Sequence, residues 1–287
     1  MHQAIKEMLA PYQCKTPEHY KNALKEIIQE IALLGLSRQD FFIKAAFYGG
    51  TALRIAHKLD RFSEDLDFTL LAPNPDFDLS SYLKGIEDEF VTYGLSLKTE
   101  KQIKNMETPV ESAFLKANTL ELLLSIEGLS NPSSGTHKNE LLKIKLEIDT
   151  DPPRPPGQTE STFLMLPIPF SFRILTLPSL FAGKLHAVLC RQYKSGRVKG
   201  RDFYDFLWYM KKEVKPDLPY LEAKMHQSGH LPLGEKLDSP RLKKLLNAKF
   251  ESLDWAQAKR DVIPFISDPY ALNLWSAEFF KQITSRL

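Results

Sequence analysis

The chain has 287 residues, of which 43% are hydrophobic and 26% charged, and its formal net charge is +2. These values are close to globular averages, which excludes collagen-like, coiled-coil and disordered classes and allows one large domain or two ordinary ones. No apolar run approaches the ~20 residues of a membrane span, and the first residues lack a secretory-signal pattern, so we expect a cytoplasmic protein.

The first half of the chain is predicted to combine helices and strands. Thr16 as N-cap and Pro17 at the first helical position open an amphipathic pattern that continues to Gly35. The run "FIKAAFYGG" predicts a buried strand ending in a glycine turn, "TALRIAHKL" a helix, and "EDLDFTLLA" a second strand. A helix from 79 to about 93 follows, and then three strands, near 95–104, 112–126 and 141–149.

The second half is predicted to be mostly helical. "DPPRPPG" at 151–157 must be a connector, because proline lacks a backbone donor and fixes φ. One strand over 161–177 precedes helices at 179–192, 201–212, 219–228, 239–253 and 270–286. We therefore predict an α/β (α+β) fold, with a mixed-sheet domain over 1–177 that includes the N-terminal helix and an all-helical domain over 178–287.

Two aspartates in the second strand suggest a metal site. Asp65 and Asp67 flank Leu66, and residues two apart on a strand point to the same face. Neighbouring carboxylates repel unless a cation lies between them, and Mg²⁺ binds one or two carboxylates together with substrate phosphates. Glycines at the preceding strand-to-helix turn would let backbone N–H groups approach a phosphate. The plainer alternative is two exposed aspartates on an edge strand.

Four segments in order carry a family resemblance: "GGTALR", "RFSEDLDF", "KLEID" and "GKLHAVLCRQYKSGRVKGRDFYDF", which together span residues 49–206. They resemble polymerase-β-type nucleotidyltransferases and, more closely, the AbiEii/AbiGii toxins of toxin–antitoxin and abortive-infection systems. The resemblance implies a polymerase-β-like core that transfers NMP from an NTP to an RNA acceptor, the tRNA 3′ end above all, releasing pyrophosphate and blocking translation. It also implies Mg²⁺, with Mn²⁺ as an alternative, and a cognate antitoxin encoded nearby.

The resemblance assigns roles in the first domain. Asp65 and Asp67 would bind the metal ions, and Glu147 in "KLEID" would be a third metal-binding carboxylate that helps to ionise the attacking hydroxyl. Asp149 lies on the same strand face as Glu147 and is the alternative. The triphosphate would be contacted by Gly49, Gly50, Thr51 and Ser63.

The resemblance also assigns two charged residues of the helical part to catalysis. Lys184 would reach the nucleotide phosphates, although a lysine on an otherwise apolar helix can also simply extend to solvent. Asp202 would be the later acidic residue, with Asp205 as the alternative, although an aspartate at a helix start also stabilises free N–H groups. A lysine and an aspartate on adjacent helices could pair and orient Lys184.

Between Lys184 and Arg201 the sequence has six basic residues and no acidic one. This segment is predicted to bind the backbone of a polyanionic acceptor, although a solvated helix end and loop would have the same composition. The predicted acceptor-binding residues are Arg191, Lys194, Arg197, Lys199 and Arg201. His57 and His186 have no metal-ligand partner at a recognised spacing.

Two other functions remain open from the sequence. The acceptor could be a small molecule or a protein hydroxyl instead of RNA. Alternatively, the pocket could belong to a catalytically idle nucleotide-binding interaction module, although the complete set of acidic residues and Lys184 argues against that. The preferred NTP, the acceptor, the antitoxin's mode of action and the oligomeric state are not determined by the sequence.

Overall fold

The computed structural model describes residues 2–100, 119–127, 142–191 and 198–287. Helices α1 to α5 are Gln3–Leu9, Pro17–Arg38, Phe41–Lys44, Gly49–His57 and Ser80–Thr92. Strands β1 to β7 are Ala45–Tyr48, Asp65–Leu70, Ser96–Glu100, Thr119–Glu127, Leu142–Asp149, Thr159–Leu164 and Phe170–Leu175. Helices α6 to α11 are Leu177–Cys190, Gly200–Lys211, Leu218–Gln227, Ser239–Glu251, Trp255–Val262 and Ala277–Thr284. Short 3₁₀ segments are Ala10–Tyr12, Ile263–Phe265 and Pro269–Leu272.

The strands of the described residues form one mixed sheet in the order β3-β4-β5-β2-β1-β7-β6. β2 lies in its interior, antiparallel to β1 and parallel to β5. The edge-strand alternative for Asp65 and Asp67 is therefore wrong, because β2 has a hydrogen-bonded neighbour on each side.

Aromatic packing fixes β2 from one side. Phe68 of β2 is fully buried, and its ring centroid lies 5.0 Å from that of Phe41 and 5.3 Å from that of Phe47. Leu66 is also fully buried, whereas Asp65 and Asp67 are half-buried. Because alternate residues of a strand face opposite sides, burial of Leu66 and Phe68 turns both carboxylates to the other face.

The longest helix follows its sequence signals closely. The Thr16 hydroxyl accepts a 3.1 Å hydrogen bond from the backbone N–H of His19, as an N-cap should. Apolar residues at helical spacing from Leu24 to Leu34 are almost completely buried. The predicted α/β class is confirmed, since the described residues combine many helices with one mixed sheet.

Several predicted element boundaries were wrong. The predicted strand "FIKAAFYGG" begins only at Ala45, because Phe41–Lys44 forms a helical turn. Gly49 and Gly50 are the first residues of α4, and Gly49 has φ +84°, so the predicted glycine turn lies at the very start of this helix. The single strand predicted over 161–177 is two strands, because "LPIPF" interrupts it with prolines. Helix α10 was missed, and the last helix begins at Ala277, later than predicted.

Some predicted elements extend beyond what the structure describes. The strand predicted near 95–104 is described only as Ser96–Glu100, and the one predicted over 112–126 only from Thr119 onward. Residues 101–111 and 112–118 lie outside the described residues.

The chain separates into two compact units. The first comprises Met1–Lys58, Phe62–Pro152 and Thr159–Ile174, and the second comprises Leu59–Arg61, Pro153–Gln158 and Leu175–Leu287. The first unit contains the sheet up to Ile174, and the second contains α6 to α11. Among the helices that the structure describes, none combines the length and apolarity needed to cross a membrane.

Candidate active site

The carboxylates of β2 and β5 lie beside each other in the sheet. In the parallel register of these strands, Asp65 pairs with Lys145, Asp67 with Glu147, and Thr69 with Asp149. Neighbouring strands are about 4.8 Å apart, and paired residues share a face. Asp65, Asp67 and Glu147 therefore occupy one half-buried patch of the sheet.

The same register distinguishes Glu147 from Asp149, the alternative for the third carboxylate. Glu147 is the direct neighbour of Asp67, whereas Asp149 lies one pair further along, beside the buried Thr69. A carboxylate oxygen of Asp149 accepts a 3.1 Å hydrogen bond from the backbone N–H of Asp151. The geometry therefore favours Glu147 as the partner of the aspartate pair.

Lys145 neutralises part of this patch. Its ammonium group donates a hydrogen bond to the Glu147 carboxylate, and both side chains are about one-third exposed. Sequence reasoning placed Lys145 on the same strand face as Glu147 but gave it no role. The signal was available, because residues two apart on a strand point the same way.

Gly49 lets the carboxylate of Asp67 pack directly against its backbone. Tyr48 pairs with Asp67 across β1 and β2, so Gly49 follows next to that carboxylate. Gly49 has φ +84°, in the left-handed region that side chains disfavour. A Cβ atom built on Gly49 would lie 3.0 Å from Cγ of Asp67 and would overlap its Oδ2. Both the backbone conformation and the available space require glycine here.

The start of α4 is positioned by Thr51. This residue is fully buried, and its hydroxyl donates a hydrogen bond to the backbone carbonyl of Asp65. The N-cap residue of α4, Tyr48, makes no side-chain hydrogen bond to the first turn. Thr51 thus holds α4 against β2, so that the start of the helix lies beside the aspartate strand.

The loop before β2 is held by α2. The Gln29 side chain donates a 3.2 Å hydrogen bond to the carbonyl of Ser63, and Lys25 forms a 2.9 Å ion pair with Glu64. Ser63 is half-buried, two residues before Asp65. This contact of Ser63 thus involves its backbone carbonyl. The predicted contact of its hydroxyl with a phosphate stays a prediction.

A charged cluster forms within the second unit. The Lys184 ammonium lies 2.7 Å from Oδ1 of Asp202 and 2.7 Å from Oδ2 of Asp205. Arg191 donates a 2.6 Å hydrogen bond to the other carboxylate oxygen of Asp202. The proposed pairing of Lys184 with an aspartate of the next helix is therefore present.

Arg61 completes this cluster. Its Nε and Nη2 each donate a 2.6 Å hydrogen bond to Asp205, and the two side chains are 3% and 0% exposed. Such a bidentate pair is strong and geometrically specific. Sequence reasoning missed Arg61, because the two residues are 144 positions apart and no spacing rule connects them.

The cluster fixes the charge of its members. Burial alone would lower the pKa of Lys184, but the carboxylates of Asp202 and Asp205 outweigh it and hold that pKa above its ordinary value. Burial alone would raise the pKa of Asp202, yet Lys184 and Arg191 hold it well below its ordinary value. Asp205 is lowered in the same way by Arg61 and Lys184. All of these groups are therefore charged at neutral pH.

The predicted acceptor-binding residues have different surroundings. Arg191 is paired with Asp202, and Arg201 lies 3.7 Å from Asp261 and stacks on Phe265 at 4.0 Å. Lys199 is half-buried, and burial together with nearby Arg191 lowers its pKa. Lys194 and Arg197 lie outside the described residues.

A small pocket in the second unit is lined by more cationic than anionic side chains. Arg191 and Lys199 line it together with Lys249 of α9, and Asp202 also contributes to its wall. Asp202 already neutralises Lys184 and Arg191. The pocket therefore has an excess of cationic groups, and Lys249 is a member that the sequence analysis missed.

The donor set of the first unit fits a magnesium ion. Asp65, Asp67 and Glu147 offer carboxylate oxygens from adjacent, in-register strands, which are the ligands that Mg²⁺ prefers. The carboxylate of Asp67 occupies the place that a side chain at position 49 would need, so glycine there permits its position in this set. These residues could hold Mg²⁺ or Mn²⁺ while phosphate oxygens supply further ligands.

Two solved structures are similar to this chain. The crystal structure of JHP933 from Helicobacter pylori aligns with a TM-score of 0.50 at 18% identity, covering 92% of this chain and 90% of that chain. A putative nucleotidyltransferase from H. pylori aligns with a TM-score of 0.47 at 17% identity, covering 90% of each chain. Comparison with curated proteins gives no match.

A match to a family model places the chain among the nucleotidyltransferases. The family model described as "Nucleotidyl transferase AbiEii toxin, Type IV TA system" matches residues 31–281. The chain therefore belongs to the AbiEii nucleotidyltransferase toxin family of type IV toxin–antitoxin systems, which implies an antitoxin as its partner. The family resemblance inferred from the sequence motifs is confirmed.

Proposed function

We propose that this protein transfers a nucleoside monophosphate from an NTP to the 3′ end of RNA, with tRNA as the acceptor in the cytoplasm. One observation carries the proposal: Asp67 and Glu147 are neighbours on adjacent strands, next to Gly49 at the start of α4, in a member of the AbiEii family. Transfer to the tRNA 3′ end would block translation and so account for toxicity.

The proposed reaction joins the acceptor hydroxyl to the α-phosphorus. The hydroxyl oxygen forms a bond to that phosphorus, the bond to the β-phosphate oxygen breaks, and pyrophosphate leaves. The hydroxyl proton passes to Glu147 or to water. Bound Mg²⁺ would supply positive charge to the phosphate oxygens and lower the pKa of the attacking hydroxyl.

The residues of the chain have distinct proposed roles. Asp65, Asp67 and Glu147 would bind the metal, and the backbone N–H groups at the start of α4 would bind phosphate oxygens. Lys145, hydrogen-bonded to Glu147, would hold that carboxylate in its orientation. The carboxylates of Asp202 and Asp205 hold Lys184 charged, and its requirement for transfer remains a prediction from the family.

An RNA acceptor is favoured by the pocket of Arg191, Lys199 and Lys249. Cationic groups in excess of carboxylates attract a polyanion, and such binding weakens steeply with salt. Replacing Lys249 with Ala should weaken RNA binding and reduce its salt dependence. Lys244 is exposed and lies on the same helix, so Lys244→Ala is the matched control and should bind RNA like the wild type.

The chemistry is tested by incubating the protein with labelled NTPs, Mg²⁺ and total RNA. We expect label in small RNA with the wild type, and loss of transfer in Asp65→Asn and Asp67→Asn. Asp76→Asn, which replaces an exposed aspartate shortly after β2, should retain activity. Folded wild-type protein that labels no RNA with any NTP would contradict the proposal, and label appearing in a protein or small molecule would move the acceptor to another class.

The third carboxylate is tested in the same assay. Glu147→Gln should lower transfer by about 10²–10⁴-fold, the range for loss of a general base. Asp149→Asn removes a carboxylate from the same strand face and should have a much smaller effect, because Asp149 neighbours Thr69 and not an aspartate. Equal losses in both variants would show that the strand register does not identify the base.

A further inference from the structure

Two histidines and a cysteine converge at a place in the second unit that the proposed reaction does not use. Nitrogen atoms of His186 and His230 and the sulfur of Cys190 all lie within 4.8 Å of one another. Cys190 is buried, His186 half-buried and His230 exposed. The cluster therefore extends from the protein interior to solvent.

Helix geometry brings the first two groups together. His186 and Cys190 are four residues apart on α6, so they lie on the same helix face in consecutive turns. His186 was given no metal-ligand partner in the sequence analysis, because Cys190 at this spacing was not considered and because the third group, His230, is 40 positions beyond Cys190.

A helix-ending motif positions His230. After α8, the N–H of Gly229 donates to the carbonyl of His226, and the N–H of His230 donates to the carbonyl of Met225. Gly229 has φ +71°, as expected for the left-handed residue that ends a helix with this pair of bonds. The backbone thus fixes the point from which the imidazole of His230 extends.

Ser228 marks the centre of the cluster. Its hydroxyl oxygen lies 2.9 Å from Nε2 of His186 and 3.0 Å from Nδ1 of His230, and it also hydrogen-bonds to the Cys190 thiol. The three donor atoms therefore surround one small polar group. The structure describes no carboxylate among the groups within this cluster.

The ring of His186 has a backbone partner besides Ser228. Its Nε2 lies 2.9 Å from the Ser228 hydroxyl oxygen, and the backbone of Lys224 is a second hydrogen-bond partner of the ring. Metal-binding histidines characteristically use one ring nitrogen for the metal and donate the other N–H to a backbone carbonyl or carboxylate. A backbone partner for His186 agrees with this arrangement.

We propose that His186, Cys190 and His230 form a zinc site, with water or the Ser228 hydroxyl as the fourth ligand. Imidazole nitrogen and thiolate sulfur suit Zn²⁺, whereas Mg²⁺ requires oxygen ligands. Bond lengths of about 2.0–2.3 Å in a tetrahedral site place the ligand atoms on the order of 3.5 Å apart. Side-chain rotations would bring the three ligand atoms from within 4.8 Å of one another to this distance. The Cys190 thiol would release its proton to solvent when it binds the metal.

The test measures zinc and cobalt binding by the purified full-length protein. After removal of metal with a chelator, the wild type should bind one equivalent of Zn²⁺, and with Co²⁺ it should show a thiolate-to-metal charge-transfer band and tetrahedral visible bands. Cys190→Ser should lose the charge-transfer band. His230→Ala should weaken zinc binding by ~10-fold or more, since even outer partners of a metal ligand contribute that much.

Controls separate this site from other thiols and histidines. Cys14→Ser removes the other cysteine, and His19→Ala a histidine of α2, and both should bind zinc like the wild type. His230 is exposed, so its replacement keeps the test decisive if Cys190→Ser fails to fold. Absence of zinc binding in the wild type, or binding that survives both site variants, would overturn the proposal. Neither readout depends on nucleotide transfer.

Discussion

Replacing Gly49 with alanine tests the central geometry of the candidate active site. Gly49 has φ +84°, and alanine in the left-handed region costs about 1–2 kcal/mol. Its Cβ would lie 3.0 Å from Cγ of Asp67, whereas carbon atoms pack at about 3.5–4.0 Å. The carboxylate must therefore move by about 0.5–1 Å.

This displacement should affect activity more than stability. A misplacement of about 1 Å in a reacting arrangement can lower the rate by about 10²-fold. We therefore expect Gly49→Ala to lose about 1–2 kcal/mol of unfolding free energy but about 100-fold in nucleotide transfer. The first is measured by urea denaturation and the second by initial rates with labelled NTP and RNA.

Gly94→Ala is the matched control within the same compact unit. Gly94 has φ +71°, and a Cβ built there would meet nothing within 4 Å. It should therefore show a similar loss of unfolding free energy without loss of transfer. If Gly49→Ala retained the activity of Gly94→Ala at comparable stability, the position of Asp67 beside Gly49 would not matter for the reaction, and our reasoning would be refuted.

Three further predictions concern stability. Asp205→Asn should lower the unfolding free energy by about 3–5 kcal/mol, because it leaves the buried Arg61 without its counter-charge; a loss below about 1 kcal/mol in thermal or urea denaturation would argue against that pair. Burial, and to a smaller extent repulsion from Glu26, raises the pKa of Glu30 to about 8. Between about pH 4.5 and 8 the folded state therefore retains a proton that the unfolded state releases. The unfolding free energy should fall as the pH rises through this range. Glu30→Gln should remove this pH dependence, which at about 1.4 kcal/mol per pKa unit amounts to about 5 kcal/mol over the whole shift, and an unchanged dependence would assign it to other groups. Thr51→Val should lower the unfolding free energy by about 1–3 kcal/mol, because it removes the hydroxyl that donates to the backbone carbonyl of Asp65, the first residue of β2. A denaturation curve indistinguishable from that of the wild type would show that this bond contributes little.

Local features of the fold were predictable from neighbouring residues. The alternation of Asp65, Leu66 and Asp67 predicted that both carboxylates share a face, and burial of Leu66 explains why it holds. Thr16 and Pro17 predicted the start of α2 in the same way. Prediction failed where a short segment was ambiguous: "LPIPF" divides what seemed one strand.

The pairings between distant segments were decided by the tertiary structure alone. The sequence placed both Glu147 and Asp149 on one face of β5, and only the register of β5 against β2 made Glu147 the neighbour of Asp67. The Arg61–Asp205 pair likewise joins positions 144 apart. Periodicity is visible in a sequence because covalent geometry repeats from one residue to the next, whereas the register of strands and the partners of buried charges depend on which distant apolar surfaces pack together.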